Sequence, residues 1–282
     1  MLATSLFGQS SGMKNISVTA VRGESWLQHL NRSFNETSMG KTWELGPPPG
    51  GENSRWQLKL SPFSSTQTVT LQGSDLYRLS CQGCHGNLGV GAPPEINSII
   101  EPVQATSVST TMKRMKDAGR EASQSEVIAM AKDSKKQLLQ RLHAGGESMP
   151  PPNLNDGEIQ SLLPYLEQLA GVPGAEKNRI AVKESSYRVG EQIVKSTCHV
   201  CHSATGPNPS PQQILEGEIP PLETLTTRLG LAEFVRKVTC GAPIIMGSPP
   251  SPYRGRMPVF TYFSQDEAAD VYMYLLTYPP QK

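Results

Sequence analysis

The apolar positions of this chain predict one short helix twice. Leu76 and Tyr77 form an apolar pair, and Ile193 and Val194 repeat it 117 residues later. Polar residues flank each pair, which is the pattern of a helix with a single apolar face. The repeat indicates two halves built from the same unit.

A longer helix is predicted near the end of each half. Asn155 with Glu158, and Ser264 with Glu267, have the spacing of a capping box at a helix start. Apolar residues then recur at helical period. They are Ile159, Leu162, Leu163, Leu166 and Leu169 in the first half, and Ala268, Val271, Tyr272 and Leu275 in the second. Pro164 lies inside the first of these helices and should kink it.

The first 72 residues do not share this repeat. All three tryptophans, Trp26, Trp43 and Trp56, lie there, whereas disordered leaders are poor in aromatic residues. Trp56, Leu58 and Leu60 alternate as in a strand. We predict an ordered N-terminal extension with little regular structure, which either straps across the two halves or docks on another subunit.

Each short helix leads into the same five-residue element. Cys81–His85 reads Cys-Gln-Gly-Cys-His and Cys198–His202 reads Cys-His-Val-Cys-His. C-x-x-C-H is the attachment signature of a c-type haem, because two thiols on one turn can each add to a vinyl group of the same porphyrin. C-x-x-C alone also serves zinc and redox sites. Two copies in matching frames predict two covalently bound haems. A methionine followed by proline stands before each terminal helix, at Met149 and Met257.

The order of short helix, C-x-x-C-H, Met-Pro loop and terminal helix resembles class I cytochrome c domains in tandem, as in two-haem c-type cytochromes. The resemblance covers about residues 73 to 282. It implies a mainly α fold of two such domains, at 73–175 and 176–282, each a few helices around a covalently bound haem. The extension at 1–72 precedes them.

In that family the thiols anchor the porphyrin, and the histidine and methionine are the axial ligands of the iron. The resemblance therefore implies two haem c sites, formed by Cys81, Cys84, His85 and Met149, and by Cys198, Cys201, His202 and Met257. It also implies a proline carbonyl that accepts the ring N–H of each histidine. The candidates are Pro93 or Pro94, and Pro220 or Pro221.

Other residues compete for these roles. His143 lies six residues before Met149 and could replace it as a ligand. Cys240, the fifth cysteine, is either a buried small hydrophobe or a thiolate as in thiosulfate dehydrogenases. His29 would have to reach across domains, and His199 is expected at the surface.

Electron transfer is the predicted function, by a carrier or by the cytochrome subunit of a membrane-associated respiratory or photosynthetic complex. The alternative is a dihaem enzyme of the thiosulfate dehydrogenase or peroxidase type. The first domain has no spare cysteine for such a thiolate, and a peroxidase needs an open axial position where both sites here have a Met-Pro loop. We therefore expect no enzyme.

Charge and hydropathy refine the expected partners. The net charge of +1 predicts neither nucleic acid nor a strongly acidic partner, and no apolar stretch approaches the ~20 residues of a membrane span. Residues 110–143 carry eight Lys or Arg and four acids, which either steer a negatively charged redox partner or form a solvated face. The expected partners are redox proteins, in particular a quinol-oxidising complex, a terminal oxidase or a photosynthetic reaction centre.

The expected compartment follows from the cofactor. Bacteria attach haem c outside the cytoplasm, so the protein should lie in the periplasm or on the extracytoplasmic face of a membrane. Residues 1–9 have neither a basic region nor an apolar run long enough for a signal peptide, so the leader is expected to have been removed or to lie upstream.

Overall fold

A computed structural model of the chain describes residues 58, 60, 67–92, 96–146, 149–177, 179–215, 218–241, 257 and 260–278. Trp26, Trp43, Trp56 and His29 lie outside the described residues. The roles expected of the extension therefore stay predictions.

The described part of the first half consists of a strand followed by helices. These are β1 (Thr68–Gln72), α1 (Gly73–Ser80), α2 (Gln82–His85), α3 (Ile100–Gln104), α4 (Val108–Asp117), α5 (Gln124–Ala144) and α6 (Asp156–Leu169). Pro164 lies within α6, which continues through it.

The described part of the second half again begins with a strand and a short helix, and ends with a longer helix. Its elements are β2 (Ala181–Ser185), α7 (Ser186–Ser196), α8 (Pro211–Leu215), α9 (Leu225–Arg228), α10 (Leu231–Cys240) and α11 (Gln265–Leu275). Both predicted capping boxes are present, at the starts of α6 and α11. The predicted mainly helical character is confirmed.

A glycine lies where the short helix of each half crosses the terminal helix. A Cβ on Gly73 would collide with the carbonyl oxygen of Ser161 in α6, and a Cβ on Gly190 would collide with that of Asp270 in α11. Only a residue without a side chain allows the two backbones to approach so closely. The two halves therefore share the same helix crossing.

The strands that precede α1 and α7 join the two halves. β1 pairs antiparallel with β2, with Thr68 opposite Ser185 and Gln72 opposite Ala181. The last residues of the segment predicted as an irregular extension thus form regular structure. Leu58 and Leu60, further upstream, are half-buried against the core.

The capping-box glutamates of the terminal helices also reach into the opposite half. Arg78 of α1 donates from both Nη atoms to Glu267, at 2.7 and 2.6 Å. Arg188 of α7 donates from Nε and Nη2 to Glu158, at 3.2 and 2.9 Å. Each half is therefore tied to the other by a bidentate ion pair.

Most of the buried apolar side chains of both halves belong to one continuous cluster. It includes Leu79 of α1, Leu162 of α6, Val194 of α7 and Leu275 of α11. Burial of this kind is the main favourable contribution to folding. The halves are consequently parts of one packed body.

The basic segment forms a helical hairpin of α4 and α5 on the outside of the first half. Its eight Lys and Arg side chains are exposed and form no ion pair with a described residue. Within the described residues, no helix is both long enough and apolar enough to cross a membrane.

Candidate functional site

The first C-x-x-C-H element folds into a tight turn directly after α1. The backbone N–H groups of Cys84 and His85 both donate to the carbonyl oxygen of Cys81, at 3.1 and 2.9 Å. The hydroxyl of the buried Tyr77 donates to the carbonyl oxygen of Gly86 and holds the end of the turn against α1. Two thiols and an imidazole are thereby placed on one turn.

The second element repeats this geometry after α7. The N–H groups of Cys201 and His202 donate to the carbonyl oxygen of Cys198, at 3.2 and 3.0 Å. The same backbone bonds close both turns, so the two elements correspond in structure as well as in sequence.

Both motif histidines are held by a main-chain carbonyl. His202 Nδ1 lies 2.7 Å from the carbonyl oxygen of Pro220, as the resemblance implied. His85 Nδ1 lies 3.1 Å from the carbonyl oxygen of Asn97. A proline was expected there, but Pro93 and Pro94 lie outside the described residues.

A carbonyl can only accept, so Nδ1 carries the proton in both rings and Nε2 keeps its lone pair. Burial also lowers the pKa of His85 and of His202, which keeps the imidazoles neutral. A neutral ring with a fixed tautomer and a free Nε2 is what an axial iron ligand must present.

The motif thiols are partly enclosed: Cys81, Cys84 and Cys198 are half-buried, whereas Cys201 is exposed. Burial raises the pKa of the Cys81 thiol and of the Cys198 thiol to about 12 each, and raises the pKa of Cys84 and Cys201 as well. Thiols in such surroundings stay protonated and unreactive. Among the described residues, no three His, Cys, Asp or Glu side chains converge as they would around a bound metal ion.

Met149 lies in a turn at the end of α5. Its N–H donates to the carbonyl oxygen of Gly146 at 3.2 Å, and its own carbonyl oxygen accepts from the N–H of Gly146 at 2.8 Å. Gly145 makes room for the turn, because a Cβ there would collide with the Met149 carbonyl oxygen. Met149 is half-buried, and Met257 is half-buried against the core. Their roles as axial ligands stay predictions.

The competing residues have other surroundings. His143 is exposed, with Nδ1 3.8 Å from Asp156 Oδ1. Cys240 is half-buried beside the Thr239 hydroxyl, 3.6 Å away. His199 is half-buried, although we expected it at the surface, because its Nε2 lies 2.8 Å from the Tyr278 hydroxyl.

The two C-x-x-C-H turns lie against each other. A Cβ on Gly83, inside the first turn, would lie 3.3 Å from the Tyr262 hydroxyl and 3.6 Å from the hydroxyl of Thr197, the residue before Cys198. Tyr262 was not predicted from the sequence. The available signal was three aromatic residues, Phe260, Tyr262 and Phe263, just before the capping box of α11.

Comparison with known proteins identifies part of the chain. Residues 71–170 match the family described as Cytochrome c. No curated protein and no solved structure matches the chain. The match runs from β1 to the end of α6 and implies a covalently bound haem c and haem-based electron transfer. Domains of this family are typical of electron carriers and are typically extracytoplasmic.

Proposed function

We propose that the protein transfers electrons through two covalently bound haems c, one at each C-x-x-C-H turn. The family match covers only the first turn. The second haem is supported by one observation: the second turn repeats both the backbone bonds of the first and the Nδ1 bond of its histidine to a main-chain carbonyl. A half-buried, neutral imidazole in this tautomer is the form in which a histidine binds iron.

The chain's own residues fit this cofactor. In each turn the two cysteines would anchor it, and His85 or His202 would present Nε2 to it. When bound, haem supplies a one-electron iron couple whose potential is tuned by the axial ligands. Met149 and Met257 would be the second ligands, and a thioether raises the potential relative to a second imidazole.

Counting haems tests the proposal directly. Pyridine haemochrome spectra should give two haems c per chain. Changing Cys198 and Cys201 to serine should leave one, and so should the matched change of Cys81 and Cys84. A wild-type chain with a single haem would refute the second site while leaving the first intact.

The methionine assignment has its own test. Met149→Ala and Met257→Ala should each remove part of the methionine–iron charge-transfer band of the oxidised protein. His143→Ala is the control and should leave the band unchanged, since His143 is exposed. A Met149→Ala protein with an unaltered spectrum and unaltered potentials would refute the assignment.

An electron carrier is favoured over an enzyme. Cys240, the cysteine outside the two turns, is the last residue of α10, and its half-buried side chain lies beside Thr239. Thiosulfate, tetrathionate and peroxide should give only background reaction with the protein, and Cys240→Ser should keep its potentials. Rapid turnover that is lost in Cys240→Ser would support the enzyme instead.

We infer a location on the extracytoplasmic side of a bacterial membrane and an acidic redox partner in a membrane-bound complex. The exposed cations of the α4–α5 hairpin support this partner, because unpaired basic side chains attract an acidic surface and speed its association. α5 also ends in the Met149 turn, so the hairpin lies next to a predicted ligand of the first haem.

Exchanging Lys132, Lys135 and Lys136 for glutamate should slow the reduction of the protein by native membranes. It should also weaken the dependence of that reduction rate on salt concentration. Lys177→Glu is the control, since that exposed lysine lies outside the hairpin. Equal rates for both variants would contradict docking at the hairpin.

A further inference from the structure

The contact between the two C-x-x-C-H turns is formed by small and aromatic residues. Gly83 of the first turn faces the Tyr262 hydroxyl and the Thr197 side chain, and a Cβ on Gly83 would lie 3.3 to 3.7 Å from their atoms. Contacts at the short end of this range leave little free space. Tyr262 and Thr197 both come from the second half, so the first turn packs directly on the second half at this point.

Tyr262 is fixed from both halves. Its carbonyl oxygen accepts a hydrogen bond from Arg78 Nη1 of the first half at 2.9 Å. Its ring packs on Phe263 and Phe260 of the second half, with centroids 4.5 and 5.9 Å apart. Arg78 is itself held by Glu267. The ring consequently has little freedom to move.

The Tyr262 hydroxyl is buried and has no hydrogen-bond partner among the described residues. Leaving a buried hydroxyl unpaired costs free energy, so a phenylalanine would be the better residue if only packing mattered. Cys84 and Cys198, one from each turn, both lie near the Tyr262 side chain. The hydroxyl is thus the atom that reaches into the gap between the two turns.

We propose that Tyr262 is a positioning residue that fixes the separation of the two haem-attachment turns and thereby sets how fast an electron passes between the two sites within one molecule. The inference rests on the proposed function. With a haem at each turn, one electron would pass from the site at His85 to the site at His202, or the reverse, so that one site would be oxidised as the other is reduced. The exchange needs no proton and no further reactant.

Two kinds of substitution change this contact from opposite sides. Tyr262→Phe removes the atom that reaches Gly83 but keeps the ring, and Tyr262→Leu removes the ring as well. Gly83→Ala instead adds a methyl group 3.3 Å from the Tyr262 hydroxyl, which must shift slightly to accommodate it, and at ordinary contact distance from Thr197. Tyr187→Phe is the matched control, because its hydroxyl bonds Thr277 within the second half and does not lie at the turns.

The experiment uses the full chain with its haems. A pulse of reductant supplies less than one electron per molecule, and the redistribution of that electron between the two sites is followed by absorbance. Redistribution should be several-fold slower in Tyr262→Phe and slower still in Tyr262→Leu. The separation of the two midpoint potentials should change in the same order. Tyr187→Phe should match the wild type in both.

The outcomes separate this inference from the proposed function. A wild-type chain with one haem refutes the second haem and with it the inference. The positioning role alone is refuted if the chain carries two haems but Tyr262→Phe and Tyr262→Leu keep the wild-type redistribution rate and midpoint potentials. If Tyr262→Leu does not fold, Gly83→Ala takes its place. The positioning role is then refuted if both Gly83→Ala and Tyr262→Phe redistribute the electron at the wild-type rate.

Discussion

Glu158 is fully buried, and its carboxylate accepts hydrogen bonds from Asn155, Arg188 and Gln192. The same side chain therefore caps α6 and closes the ion pair to the other half. The other capping glutamate, Glu267, closes the reciprocal pair with Arg78 and keeps 15% of its side chain exposed. Loss of Glu158 should accordingly be the more damaging.

Glu158→Gln should lower the free energy of unfolding by about 3 kcal/mol, because it removes the buried charge partner of the Arg188 guanidinium and leaves it with the more exposed Glu191, at 2.6 Å. Denaturant unfolding of the haem-loaded protein measures this. Glu233→Gln is the control, since Glu233 pairs with Lys237 at 3.3 Å on the surface, where such pairs contribute less than about 1 kcal/mol. A Glu158→Gln protein as stable as this control would contradict the role of the buried pair.

A second buried carboxyl, Asp270 of α11, should make stability depend on pH. Burial, reinforced by the charges of Asp266 and Glu267, raises the pKa of Asp270 to about 7. The folded state then binds more protons than the unfolded state between about pH 4 and 7, so the contribution of this group to stability falls as the pH rises through that window. Above about pH 7 Asp270 is ionised in the folded state and lowers the stability by its full amount.

Asp270→Asn should therefore stabilise the protein at pH 8 by about 2–4 kcal/mol and change little at pH 4. Unfolding curves at both pH values test this. An equal effect of the substitution at pH 4 and pH 8 would mean that Asp270 titrates normally in the folded state.

At the scale of elements, the parts that could be predicted are those encoded locally. The two capping boxes and the apolar stripes behind Asn155 and Ser264 predicted α6 and α11, because each signal lies within a few residues of the helix it starts. The C-x-x-C-H spacing likewise predicted both turns. Strand β1 was missed, because its partner β2 is more than a hundred residues away in the chain.

The carbonyl partner of His85 was missed for a related reason. The loop after Gly86 folds back so that Asn97 reaches the ring, and its path depends on tertiary contacts such as the hydrogen bond from the Ile99 N–H to the Gly89 carbonyl oxygen. The contact of Gly83 with Tyr262 could not be predicted either, since it depends on how the two halves pack. Distances along the sequence carry no information on such packing.

The close crossing of α7 and α11 at Gly190 leads to a prediction about stability. Gly190→Ala should destabilise the protein by about 2–3 kcal/mol, because the new methyl group must push α7 away from the backbone of α11. Gly230→Ala is the comparison: a Cβ at Gly230 meets no atom within 4 Å, so its effect should stay at about 1 kcal/mol or less, the cost of replacing the N-cap glycine of α10. Similar melting temperatures for both variants would contradict the close crossing.

At the scale of the whole molecule, the strand pair bears on where the N-terminal extension ends. Because β1 pairs with β2, we propose that residues 68–72 belong to the packed body and not to the extension. The predicted boundary after residue 72 would then cut through a structural element. Tryptophans upstream of it remain candidates for docking on a partner, where such residues are favoured.

Two truncations distinguish these roles. A chain that starts at residue 73 should melt well below one that starts at residue 66, because only the longer chain keeps β1. If residues 1–65 dock a partner, the chain that starts at residue 66 should lose partner affinity and lose only the stability that Leu58 and Leu60 contribute by packing on the core. Equal melting temperatures for the two truncations would show that β1 adds nothing to the packed body.

The pairing of β1 with β2 has a consequence for the order of events during biogenesis. A ladder between Thr68 and Ser185 closes only after the intervening chain has been synthesised, and contacts of such high contact order form late in folding. The thiols of the first turn are half-buried in the folded protein, so they are more accessible to haem attachment before the two halves have packed together. We therefore expect haem attachment at Cys81 and Cys84 to precede closure of the ladder, so that covalent modification comes before the last step of folding.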